Sequence, residues 1–93
     1  MWNVSECSNF AKSGARLSYG LVRRSRRASD VAECERLCIR ETQFVCRTFS
    51  FNSGVRSDYS SNNCEMTDRD YRDMNYGDFD QNSRDWDIIE RTR

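Results

Sequence analysis

The residues best equipped for chemistry are five cysteines, at positions 7, 34, 38, 46 and 64. Thiols form bridges, bind soft metals or act as nucleophiles. The chain contains no histidine. No imidazole is therefore present to activate a thiol or to complete a Cys/His zinc site. Zinc modules pair their ligands in short knuckles, two cysteines separated by two to four residues. Here only Cys34 and Cys38 are so paired, while Cys46 and Cys64 stand alone in strand-like sequence. No catalytic residues, metal site or cofactor are expected.

Bridging is the favoured use, with a zinc site of four thiolates as its alternative. Four cysteines allow three connectivities, and the sequence alone does not choose among them. A bond between Cys34 and Cys38 is disfavoured, because one helical turn holds the Cβ atoms about 5–6 Å apart. Closure geometry favours a nested pair: Cys38 with Cys46 across a short turn, and Cys34 with Cys64 across a longer path. Cys7 is the odd one, expected to be unpaired or to have its partner outside the chain.

The charged residues suggest binding. Basic residues number fourteen arginines and one lysine, and they balance fifteen acids. Residues 1–56 carry a net +5 and residues 57–93 a net −5. Arg23, Arg24, Arg26 and Arg27 crowd into five residues, read as an exposed loop. They could bind sulfated glycans through bidentate contacts, or pair with the acidic half. Arg24-Ser25-Arg26-Arg27 also has the form of a proprotein cleavage site. The aspartates between 68 and 87 lack the loop order that converges oxygens on calcium, and Arg69, Arg72 and Arg84 interrupt them. Phe49, Phe51, Tyr59, Tyr71, Tyr76 and Phe79 read as core residues. They do not form a stacking platform for nucleic acid, since the aromatic half is acidic. Asn3-Val4-Ser5 is a glycosylation sequon.

These groups need elements to position them. Asp30 followed by Glu33 reads as a helix start, and Val31, Cys34, Leu37 and Cys38 recur at three- and four-residue steps. That places a helix at about 30–41, with Glu33, Glu35, Arg36 and Arg40 pointing outward. Leu17, Tyr19 and Leu21 alternate as in a half-buried strand. Residues 44–51 are β-branched and aromatic, the best strand in the chain. On it Phe44, Cys46 and Thr48 share one face, and Val45, Arg47, Phe49 and Phe51 share the other. Residues 52–62 are a polar loop. Residues 63–67 and 86–91 are further strands, with an irregular excursion over 68–85 pinned by aromatics.

Composition explains why bridges are needed. Leu, Ile, Val and Phe together number 16 of 93 residues, and 32% of residues are charged. That is too little apolar volume for an ordinary core, so a domain of this size must be stapled. No apolar run spans a membrane, and the absence of proline excludes a Pro-rich ligand. Met1-Trp2-Asn3 has neither a basic start nor an apolar stretch. A secreted parent would thus carry this chain as a mature fragment. One domain, residues 1–93, is expected.

Three segments occur in a recognisable order. They are Val31-Ala32-Glu33-Cys34-Glu35-Arg36-Leu37-Cys38, then Phe44-Val45-Cys46-Arg47-Thr48-Phe49-Ser50-Phe51, then Asn63-Cys64-Glu65-Met66-Thr67-Asp68-Arg69-Asp70. Together they resemble the PAN/apple domain. Asp68-Arg69-Asp70 and the closing Trp86-Asp87-Ile88-Ile89-Glu90-Arg91 are most similar to PAN modules of invertebrate apical-matrix proteins with a zona pellucida domain, of the no-mechanoreceptor-potential A type. The resemblance implies an α+β fold, one helix on a curved antiparallel sheet with the nested bridges. It also implies a terminal bridge from Cys7, whose partner this chain lacks. It further implies an extracellular, non-catalytic module of a larger secreted protein. Its partners would be matrix proteins or sister modules, and sulfated glycans as the alternative.

Overall fold

The computed structural model describes residues 7–54 and 61–92. In chain order the elements are β1 (Ser8–Ser13), β2 (Arg16–Leu17), β3 (Arg24–Arg26), α1 (Val31–Arg40), β4 (Thr48–Asn52), β5 (Cys64–Thr67), β6 (Phe79–Asp80) and β7 (Trp86–Arg91). Short 3-10 turns cover Tyr19–Leu21, Tyr71–Asp73 and Tyr76–Asp78. Five strands form an antiparallel sheet in the order β1-β7-β4-β5-β3, and β2 pairs with β6 in a second, two-stranded sheet. One helix packed on an antiparallel sheet makes the fold α+β.

Alternation along the central strands builds two layers on that sheet. Phe49 lies opposite Met66 and Ile89, and Phe51 opposite Cys64. These side chains face α1 and bury with Ala28, Cys34, Cys38 and Cys46. The intervening residues Ser50, Glu65 and Ile88 face the other way. There Ile88 joins Ala15 and Leu17 in a smaller cluster, covered by Tyr71, Met74 and Phe79. The sheet therefore carries the helix on one face and the β2–β6 layer on the other.

The helix forms where its capping residues allow. The Asp30 carboxylate accepts from the Glu33 N–H at 2.8 Å, and Glu33 reaches back to the Ser29 N–H at 2.5 Å. That second bond holds the Glu33 carboxyl below its usual range. Glu35 departs from the expected outward position and is only 6% exposed. It sits four residues after Val31 and three before Cys38, so it belongs to the edge of the buried stripe.

Other expectations also need correction. Leu17, Tyr19 and Leu21 do not form one strand. Only Leu17 pairs, with Phe79, and the Leu21 N–H then closes onto the Ser18 carbonyl in a 3-10 turn. Residues 44–47 precede β4 without being strand. The bridge to α1 draws Cys46 to the helix side, the same side as Phe49, so alternation breaks between them. The segment 23–27 is not a loop: Arg24–Arg26 is β3, an edge strand paired with β5. Tyr76 is 77% exposed and is no core residue. Asn3 and Tyr59 lie outside the described residues.

Candidate functional site

The framework is covalent. Cys34 of α1 is bonded to Cys64 of β5 with Cα atoms 5.6 Å apart, and Cys38 to Cys46 with Cα atoms 5.3 Å apart. All four are buried. In the chain-entropy account, closing the longer loop stabilises by about 3.7 kcal/mol and the shorter by about 2.6 kcal/mol. Nested loops do not add fully. Still, the sum is comparable with the whole stability of a small domain. Cys7 belongs to neither bridge. It is half-buried, and its carbonyl accepts the Thr92 N–H at 2.8 Å, which brings the two ends of the described chain together.

Asn63 completes the clip. Its side-chain amide donates to the Ala28 carbonyl at 2.9 Å and its side-chain carbonyl accepts the Ala28 N–H at 2.8 Å. The turn leading into α1 is thus tied to the residue preceding Cys64. The sequence marked Asn63 only as a neighbour of Cys64. Its pairing depends on Ala28, 35 residues away.

The arginines of the cluster meet different partners. Arg23 pairs with Asp68 at 2.5 Å and lies over the Phe44 ring, 5.1 Å from its centroid. Arg24 pairs with the buried Glu41 carboxylate at 2.7 Å. Arg27 donates to the Ser61 carbonyl at 3.1 Å. Strand alternation turns Arg24 and Arg26 toward the helix side, as their partners Met66 and Cys64 show. There they line a groove of about 210 Å³ with Leu37 and Arg40. The sequence placed Arg40 only on the outward face of the helix, because its proximity to Arg24 and Arg26 arises from the helix end packing beside β3.

The other layer holds an ion pair that sequence reasoning missed. Arg16 donates to both oxygens of Glu65, at 3.0 and 2.7 Å, and Ser50 adds a longer bond at 3.4 Å. The Arg16 guanidinium also stacks over Trp86, 4.4 Å from the ring centroid. The hydrogen bond to Glu65 holds the Arg16 pKa above its usual value. The pair fastens β2 to β5 of the main sheet. Beside this layer lies a wider groove of about 510 Å³, lined by Lys12, Tyr71, Met74, Tyr76, Phe79 and Glu90 among others.

Among the described residues, no group of three or more His, Cys, Asp or Glu side chains gathers in a way that could hold a metal ion. Nor is any helix there long and apolar enough to cross a membrane. What the described residues present is charged and aromatic surface on a scaffold held by two bridges.

Comparison with known proteins agrees. No curated protein and no solved structure matches the chain. The PAN domain matches residues 7–93. With that span matched, the chain belongs to the PAN domain family, non-catalytic modules for contact with other proteins.

Proposed function

We propose that the chain, as one domain, is an extracellular contact module of an apical matrix protein, binding matrix proteins or sister modules. The observation that carries this is the family match over residues 7–93. Two buried bridges support the compartment, since disulfides persist where the surroundings are oxidising. The acidic run Asp68-Arg69-Asp70 and the closing strand support the apical-matrix type through their resemblance to such modules. The test is direct binding of the purified domain to matrix proteins and to the sister modules of its parent, by interferometry at physiological salt. Saturable binding to at least one is expected. Failure to bind any of them would overturn the reading.

A second reading, binding of sulfated glycans, is favoured by one feature: Arg24, Arg26 and Arg40 share a groove. Retention on a heparin column above physiological salt, lost on replacing Arg26 and Arg40 with Ser, is its expected result. Elution below that salt would remove it.

A further inference from the structure

Arginines without a counter-charge gather on the helix side of the sheet. Residues 23–47 hold seven arginines and four carboxylates. All four carboxylates are engaged inside the chain. Asp30 accepts the Glu33 N–H, Glu33 accepts the Ser29 N–H, Glu35 is buried and Glu41 holds Arg24. Arg23 pairs with Asp68, and Arg27 donates to the Ser61 carbonyl. Arg26, Arg36 and Arg40 are exposed, and none of them forms an ion pair among the described residues.

The fold puts these three on one surface. Arg36 and Arg40 lie one turn apart on the outward face of α1, and Ile39 adjoins them there, 44% exposed. Arg26 of β3 and Arg40 line the same groove of about 210 Å³, with Leu37 between α1 and the strand. A face that only needed solvation would carry either cation equally well. This chain uses arginine at fourteen of its fifteen basic positions. A guanidinium is more weakly hydrated than an ammonium and meets a carboxylate through two parallel bonds.

We propose that this face docks an acidic polypeptide segment, its carboxylates on Arg26, Arg36 and Arg40 and an apolar side chain on Ile39. This rests on the contact-module reading above and names its surface and the chemistry of its partner. The charge of the face sets the sign of the occupant. The apolar residues decide its class: a peptide brings a side chain that covers Ile39, whereas a sulfated polysaccharide brings none. Spacing agrees. Residues one helical turn apart are separated by about 5–6 Å, and alternate side chains of an extended segment by about 6.6 Å. Successive same-face carboxylates of an extended segment therefore match Arg36 and Arg40.

Fluorescence anisotropy of the full chain with a labelled synthetic peptide tests this, the peptide being glutamates alternating with serines and closed by a leucine. Saturable binding is expected in about 50 mM salt and should weaken about tenfold in about 500 mM. The same peptide with glutamine for glutamate should bind about tenfold more weakly or worse, since neutral acceptors make weaker bonds to arginine. Arg26→Ser with Arg40→Ser should lose about tenfold in affinity, and Ile39→Ser a smaller part of it. Arg72→Ser, in the groove on the other side of the sheet, should leave binding unchanged. All four positions are exposed, and circular dichroism checks that the variants fold. Absent binding, equal binding of the glutamine peptide, or a double variant that binds like the wild type would overturn the inference. So would a heparin oligosaccharide that displaces the peptide and binds this face more tightly. If matrix proteins or sister modules bind the wild type and the double variant equally, the docking surface is refuted and the contact-module reading stands.

Discussion

Replacing Arg16 with Met should destabilise the domain well beyond an ordinary surface change. The Glu65 side chain is 9% exposed and takes two of its three hydrogen bonds from Arg16. Removing one partner of a buried pair leaves an uncompensated charge, at a cost of about 3–5 kcal/mol when both groups are fully buried. The Arg16 side chain is 41% exposed, so water entering its place would screen part of that. A cost of about 2 kcal/mol follows, with roughly 0.5 kcal/mol more from the lost stacking on Trp86. For a domain of this size, each 1 kcal/mol shifts the melting temperature by about 4–8 °C. A fall of roughly 10–20 °C is expected in a thermal melt followed by circular dichroism. The double variant Arg16→Met, Glu65→Met should recover most of it, since an apolar pair of similar volume does not carry the buried charge. An Arg16→Met variant within 0.5 kcal/mol of wild type would mean that the pair does not stabilise the fold. A double variant as damaged as the single would mean that the stranded charge is not the cause.

Further outcomes follow from the same geometry. Replacing Cys34 and Cys64 with Ala should cost about 1 kcal/mol more than replacing Cys38 and Cys46, because the longer loop is released; urea melts under non-reducing conditions measure this. Asn63→Ala strands the N–H and carbonyl of Ala28 at a buried site, and should cost about 2–3 kcal/mol in the same melts. Asp85 holds φ at 70°, where a side chain is strained; Asp85→Gly should be neutral to about 1 kcal/mol stabilising, and a clear loss would contradict that account. Two carboxyls give opposite pH signatures. Glu33 is held low in the folded state by the Ser29 N–H, so its contribution is present above about pH 4.5 and lost as pH falls through the folded value. Asp87 is pushed up by burial and then by Asp85, so its ionisation weakens the fold above its folded pKa and is harmless below about 3.8. Glu33→Gln should therefore lose stability at pH 7 but not at pH 2, while Asp87→Asn should gain up to about 0.5 kcal/mol at pH 7 and nothing at pH 3.

What the sequence discloses depends on whether a residue's role is local. The helix is legible because Asp30, Glu33 and the spacing of Val31, Cys34, Leu37 and Cys38 are signals within one segment. Strand β7 is legible for the same reason, its bulky residues forming one short run. Strand β1 is not legible. Ser8–Ser13 is mostly polar, and it is a strand because β7 offers it an edge. The alternation of Leu17, Tyr19 and Leu21 misleads, since only Leu17 finds a partner across the layer. At the candidate surfaces the run of arginines is plain in the sequence. Its division by Asp68 and Glu41 is not, nor is the arrival of Arg40, because these contacts arise from pairing between β3, β5 and the end of α1. The groove with Tyr76 is hidden likewise, its walls coming from the excursion between β5 and β7 and its other side from β1.

Two nested bridges clip the helix to the sheet and make its surfaces rigid. Non-reducing tryptic mapping tests this most directly, because cleavage after Arg27, Arg36, Arg40, Arg47, Arg56 and Arg69 places each of the four cysteines on its own peptide. The expected result is peptide 28–36 joined to 57–69, and 37–40 joined to 41–47. Any other joining of these peptides, or free thiols at these positions in the folded protein, would contradict it.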